Sequence, residues 1–576
     1  MNKLKSSVIS CWLLVIIIII AAFLRLYNLT EVPPGLYPDE AMNGNNALEA
    51  LRTGHFKVFY PENNGREGLF INIQAIFLKF LMLISGENLE PWMLRLPSAI
   101  FGILTVLGTY FLTKQLFKFR LPVVRNVSER CRAWPEPSNN ILSARSAARE
   151  SRPPFAAGAD GRPVPSDKQA EYIALLSAFF LATSFWHINF SRIGFRAIMA
   201  PFFLVWGIYL LIKSLNQTKN NFQFSIFNFQ FLAIIGGIMY GLGFYSYIAY
   251  RATPILIFVI LLIYWLKDKD IAIRKKFLLS TFYFLLSTII IAAPLGLYFL
   301  KNPQDFFGRT SEISIFNSST PLKDLGLNIL KTAGMFNFVG DWNWRHNYAG
   351  RPELFWPVGI LFAIGILIGL KQLVSMNINK YQKISDTDRY SLRDTYRYPF
   401  VILFSWLVIA ALPVVVSNEG IPHALRSILL IPPVFILAGF GGIWLYEKIA
   451  EKLQKYTKIP KLLLFSIFYF LFSLFVFEAY YTYFIKWAKN HNTLDAFSND
   501  YVCLSKKLKD LPKELPKYVV VEAKGVDVRG IPMPAQTVMF LTDTFSPEKQ
   551  KEKNIYYVLP NQTDKIPQNS YVVYLK

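Results

Sequence analysis

The side chains suited to chemistry in this chain sit in five short polar groups. The first lies in GLYPDEAMNGNNALEALRTGHFKVFYPENNGREGL, residues 35–69, which carries Asp39, Glu40, Glu49, Glu62, Arg66 and Glu67. An ionised carboxylate such as Asp39 or Glu40 can take the proton of a hydroxyl, which is general-base work. The other groups are HINFSRIGFR, with His187, Arg192 and Arg196; GFYSYIAYR, with Tyr245, Tyr247, Tyr250 and Arg251; GDWNWRHN, with Asp341, Arg345 and His346; and NEGIPHALR, with His423 and Arg426. A guanidinium fork matches phosphate oxygens in pairs, so these arginines suit a phosphate carried on a lipid. Each group also has a plain structural reading. Asp39 suits a helix N-cap. Arg192, Arg251 and Arg426 suit snorkelling toward headgroups, and the tyrosines suit an interfacial aromatic belt. His346 and His423 suit ordinary surface histidines. The functional reading rests on the convergence of the groups on one face.

The elements that must position them are mostly apolar. Of 576 residues, 53% are hydrophobic and 17% charged, whereas soluble domains carry about 25% charge. Apolar runs recur at lengths that cross about 30 Å of hydrocarbon. The chain therefore reads as an all-α polytopic membrane protein. Lys and Arg gathered in cytoplasmic loops and near anionic headgroups account for the net charge of +23, so nucleic acid is not expected as a partner. Cys11, Cys131 and Cys503 are too scattered for a disulfide framework or a metal site, and there is no CxxC, HExxH or Walker loop.

The expected spans are 8–24, 96–117, 171–189, 197–212, 231–247, 253–266, 277–300, 354–370, 399–416, 426–446 and 462–484, about eleven in all. Between the first two, an outer loop over 25–95 contains a helix from Asp39 to about Thr53, with Asp39 at the N-cap and Gly54 just past the end. Leu69–Ser85 is apolar but short, and it carries Lys79. Laid along the surface as an interfacial helix, it puts the Lys/Arg-rich loops 118–169, 213–222, 267–276, 371–398 and 447–461 inside. The N-terminus is then cytoplasmic and the five polar groups lie outside. Residues 125–168, rich in Arg, Ser, Ala and Pro, lack apolar periodicity and read as a disordered cytoplasmic insert. The tail, 485–576, is soluble in composition. KYVVVEA, NIYYVLP and SYVVYL read as strands, and Leu494–Leu508 and Gln536–Thr542 as helices, giving a small extracytoplasmic α/β domain.

The order of an N-terminal span, PDEAMNG, NNGREGLF and then RLPSA at the start of the next span resembles the GT-C glycosyltransferases. Within them it resembles the bacterial relatives of dolichyl-phosphate-mannose–protein mannosyltransferases and of the lipid A aminoarabinose transferase. WHINFSRIGFRAIMAPF, GDWNWRHN and IPHALRSILLIPP add to the resemblance, which covers residues 8–446 apart from the insert. It implies a plasma-membrane enzyme that takes a sugar, a mannose-like hexose or a pentose, from a polyprenyl-phosphate carrier on the outer face. The acceptor is a hydroxyl on protein, lipid or glycan, and the anomeric centre inverts. The resemblance points to Asp39 as the catalytic base, to Arg66 and Glu67 as donor-phosphate or metal contacts, and to Arg192, in Ser191-Arg192, as a lipid-phosphate contact. The residues themselves add Glu40 beside Asp39, Arg251 and Tyr247 to the phosphate set, and Arg345, His346, His423 and Arg426 as acceptor or donor contacts. The relatives' His-Pro-Pro-Leu or Glu-Lys-Pro-Pro-Leu stands here as Arg66-Glu67-Gly68-Leu69. No cofactor is required; a divalent metal ion, if used, would fall to Glu67. Two other classes compete. A lipid-linked-sugar flippase or transporter would place ionisable groups near the midplane and show repeats, and neither stands out here. A scaffold would have no need of the acidic loop.

Overall fold

The computed structural model describes residues 2–576 except 87, 119–166, 218–227, 268–269, 313, 375–396 and 457–460. The insert expected over 125–168 thus lies outside the described residues, apart from Asp167 and Lys168, which open a helix. Among the described residues, eight helices are long and apolar enough to cross a membrane: Val8–Leu26, Pro91–Phe117, Arg196–Leu215, Ile248–Lys267, Ile271–Lys301, Trp356–Val374, Arg397–Val415 and Ile428–Lys452. Lys168–Ala182 and Phe185–Arg192, bent by 58° at their junction, make a ninth if taken as one span. The expected eleven all fall on helices, but not all pass as spans by length and composition. Phe229–Gly243 has 15 residues, about 22 Å of helix, which is short of the hydrocarbon thickness. The fold is an all-α membrane bundle with a small α/β C-terminal part.

One large apolar cluster runs through the bundle from Ile17 to Phe497. Small residues let its helices touch backbone to backbone. A side chain at Gly441 would lie 2.0 Å from the Leu361 carbonyl, and one at Gly365 2.1 Å from that of Leu437.

The helix Pro38–Thr53 is polar in sequence, yet Glu40, Asn43, Asn45 and Asn46 are buried in it. It is enclosed by the helix Leu69–Ser85 on one side and by Gln536–Thr542 of the C-terminal part on another, with Phe540 against Gly44. Its N-cap is Tyr37 and Pro38 is its first residue, so the expected Asp39 cap is not formed. The fixed φ of proline suits the first helical position, and this places Asp39 one residue inside. Gly54, in the left-handed region at φ 73°, ends the helix as expected. Leu69–Ser85 buries Phe70, Ile71, Ala75 and Leu78 and exposes Ile76, Phe80, Leu83 and Ile84 beside Lys79. An apolar edge left open along a short helix is the pattern of an interfacial helix.

The helix Lys461–Tyr480 continues as a π-helical turn, Tyr481–Trp487, whose Tyr483, Phe484 and Trp487 are buried in the bundle core. The boundary expected at 484/485 therefore falls inside a packed element. The helix expected over Leu494–Leu508 is two, His491–Ala496 and Asn499–Asp510, broken at Ser498 with φ 51°. The break seats Phe497 in the bundle core and brings its carbonyl to Gly35. A side chain at Gly35 would meet that oxygen at 2.4 Å, and its φ of +71° independently favours glycine. Lys517–Val521 is the central strand of a parallel three-stranded sheet, between Ile555–Val558 and Tyr571–Leu575.

Candidate active site

Two short strands, Phe59–Tyr60 and Arg66–Glu67, pair antiparallel and close a turn over 61–65. Asn63, Asn64 and Gly65 take positive φ there, which amides and glycine tolerate. The turn carries the Asn63 side-chain amide to Asp39, where it donates a short hydrogen bond to Oδ1. Asp39 lies on the wall of a cavity of about 110 Å³, together with Asn43, Asn63, Asn64, Arg66, Glu67, Arg196, Tyr247, Arg251, Asp305 and Leu425.

The charges on this wall are ordered. Glu67, nearly fully buried, accepts from Arg196 Nε at 2.8 Å and from Arg251 Nη2 at 3.4 Å. Arg251 is also clamped by the Phe306 carbonyl at 2.9 Å and lies over the rings of Phe299 and Phe306. Arg196 reaches Glu67 through Nε, which leaves its two Nη groups for a ligand. Arg66 is buried and donates to the Asn43 and Asn46 side chains at 2.7 and 2.6 Å. Burial, and then the Arg196 charge, lower its pKa to about 10, so it stays charged at neutral pH. Tyr37, just before the helix, lies under the Arg345 guanidinium at 3.9 Å. Burial and the Asp39 charge push its phenol up to about 12, so it remains a proton donor.

Other expected site residues stand elsewhere. Glu40 neither faces solvent nor lines the cavity. It is fully buried and binds Arg95 through Nε at 2.9 Å and Nη2 at 3.3 Å, and the Gly194 N–H at 2.8 Å. Arg95 ties the same knot to the carbonyls of Pro33 and Gly35. Arg192, expected at the donor phosphate, is also fully buried and off the cavity wall. Its guanidinium donates to the carbonyls of Leu24, Asn28 and Val32 and stacks on Phe484. Four residues after Arg192, at the start of the next helix, Arg196 lines the cavity instead. Arg426 is buried at the neighbouring loop, bonded to Ser417 Oγ and the Glu419 carbonyl. His346 and His423 gather on Asp341.

The metal reading of Glu67 does not fit its surroundings. Both of its oxygens face guanidinium groups, and Arg66 adjoins it in sequence. A cation there would meet positive charge on several sides. Sequence reasoning did not bring Arg196, Asp305 and the amides Asn43, Asn63 and Asn64 onto one wall with Asp39. The signal was present in the repeated asparagines of NGNN and NNG, poor helix formers, of which Asn43, Asn63 and Asn64 line the cavity.

No protein-family model matches the chain, and no curated protein matches it. Solved structures do resemble it in chain trace. ArnT from Cupriavidus metallidurans bound to undecaprenyl phosphate is similar over 97% of this chain and 89% of its own, at 12% identity and a TM-score of 0.49. The Archaeoglobus fulgidus oligosaccharyltransferase, in complex with Zn and sulfate, is similar over 95% of this chain at 14% identity and a TM-score of 0.46. This chain spans 62% of the length of that protein. The S. cerevisiae protein O-mannosyltransferase Pmt1-Pmt2 complex, bound to the sugar donor, is similar over 52% of this chain and 34% of its own, at 19% identity and a TM-score of 0.33. At these identities and scores no residue role passes from any of them to this chain.

Proposed function

We propose that the chain is a membrane glycosyltransferase that moves a sugar from a polyprenyl-phosphate carrier to an acceptor hydroxyl. The observation that carries this reading is one cavity, at the ends of apolar helices, that sets the Asp39 carboxylate together with the Arg196 and Arg251 guanidiniums. The motif order of the sequence, which resembles the GT-C enzymes, supports the same reading. The acceptor is a hydroxyl on protein, lipid or glycan, and the sugar is a mannose-like hexose or a pentose.

The reaction is a single displacement. The acceptor oxygen attacks the anomeric carbon while its proton passes to Asp39. The bond from that carbon to the phosphate oxygen breaks, and the electron pair leaves on the lipid phosphate. Inversion follows from attack opposite the leaving group. Proton removal by a positioned base contributes ~10²–10⁴-fold. Arg196 and Arg251 stabilise the charge that grows on the phosphate, and the leaving group needs no added proton. Asn63 donates to Asp39 Oδ1, the Tyr37 phenol also bonds the carboxylate, and the group opens on the cavity toward the hydroxyl. Metal chemistry at Glu67 has no part in this account. We place the cavity on the outer face and the N-terminus in the cytoplasm, from the distribution of Lys and Arg.

A lipid-linked-sugar flippase is the competing reading. Purified protein in liposomes, given a panel of polyprenyl-phosphate sugars and hydroxyl acceptors, separates the two. A transferase yields glycosylated acceptor and free polyprenyl phosphate in equal amounts. Movement of intact donor across the bilayer without bond cleavage would contradict the proposal.

A further inference from the structure

Asp341, His346 and His423 bring one ligand atom each to within 4.8 Å of one another, on two segments far apart in sequence. We propose that they form a binding site for a single divalent ion of the zinc type, separate from the donor cavity. His346 Nδ1 lies 3.1 Å from Asp341 Oδ2, and His423 Nδ1 lies 3.7 Å from the same oxygen. Zinc with bonds of ~2.0–2.1 Å in tetrahedral array sets its ligand atoms ~3.3–3.4 Å apart, between those two values. The 3.7 Å separation is too long for a hydrogen bond; His423 Nδ1 accepts the Arg426 N–H at 3.4 Å, a long bond that an ion would replace. The two rings lie 4.9 Å apart.

The carboxylate is held for this work. Asp341 Oδ1 accepts the Asn343 N–H at 2.8 Å, Oδ2 accepts the Ala424 N–H at 2.9 Å, and the Asp341 N–H is itself bound to Glu353 Oε1 at 3.0 Å. Partners of this kind orient metal ligands. Asp341 and His346 are buried, while the His423 side chain keeps 16% of its surface, which gives water access as a fourth ligand. Two imidazoles and one carboxylate suit Zn²⁺ over Mg²⁺ or Ca²⁺, which prefer all-oxygen sites. The ion would pin 341–346 to 423–426, next to Leu425 of the cavity wall and Arg345 above Tyr37.

The test uses the full chain, purified in detergent without a histidine tag and stripped with chelator. Titration with Co²⁺, read by its visible absorption, and competition by Zn²⁺ are expected to give one site per chain. His423→Gln is expected to weaken it by more than the ~10–100-fold that follows loss of an outer partner, and His346→Gln likewise. Glu67→Gln is expected to bind as wild type. Because the readout is binding, failure of the sugar-transfer reading would leave this result intact. No stoichiometric binding, unchanged binding in His423→Gln, or loss of binding in Glu67→Gln would each overturn the proposal.

Discussion

Two sets of charges stand within a few residues of each other and do different work. Asp39 and Glu40 are neighbours, and so nearly are Arg192 and Arg196. In each pair one member is sealed and the other opens on the cavity. Glu40 and Arg95 are mutually paired with nothing exposed, and Arg192 is spent on three carbonyls. Asp39, Arg196 and Arg251 have partners too, but each retains surface on the cavity. The difference shows that in this fold charge type does not mark the site. What marks it is whether the polar partners are complete without a ligand. Adjacent helical residues point about 100° apart, so one step along the helix is enough to separate the two roles.

Breaking the sealed set is expected to have the largest effect on stability. Glu40→Gln leaves Arg95 charged and buried without its counter-ion, which costs about 3–5 kcal/mol. Thermal unfolding in detergent reads this as a large loss, with little folded protein recovered. Arg192→Ala comes next. It leaves three backbone carbonyls without their donor but strands no buried counter-charge, so melting falls while the donor KM of the protein that still folds stays near wild type. A raised donor KM with unchanged melting would move Arg192 back to the phosphate. The open set is expected to behave in the opposite way. Arg196→Ala and Arg251→Ala each raise the donor KM by about tenfold or more, with melting falling less than in Glu40→Gln because the buried Glu67 keeps its other guanidinium. The smallest effect is expected outside both sets. Arg529 joins the C-terminal part to Glu49 and Glu62, close to Asn63, through pairs that are largely exposed. Such pairs contribute about 1 kcal/mol or less, so Arg529→Ala should shift melting only slightly and lower turnover modestly, and high salt should mimic it.

Much of the fold was legible in the sequence because apolar runs of membrane length leave few choices. The helix 38–53 and the strands of the tail were legible from proline, glycine and alternation. The site was legible only as a set of segments. Four of the five polar groups contribute residues to the cavity wall, and GDWNWRHN reaches only Tyr37 through Arg345, but the sequence could not say which arginine of SRIGFR turns inward. That choice depends on the bend of 58° between Lys168–Ala182 and Phe185–Arg192 and on carbonyls of the first helix and the loop after it. Nor could local pattern show that the C-terminal part closes over Pro38–Thr53. That contact joins residues nearly 500 positions apart, such as Asn45 and Gln536.

The comparison turns most directly on Asp39. Asn has nearly the same shape and can still accept the Asn63 amide hydrogen at Oδ1, but it cannot take a proton. Asp39 is not the helix cap, so no capping bond is lost. Turnover of a polyprenyl-phosphate sugar by purified Asp39→Asn should fall by about 10²-fold or more, with melting and donor KM near wild type. A folded Asp39→Asn protein that turns over at close to the wild-type rate would contradict the account.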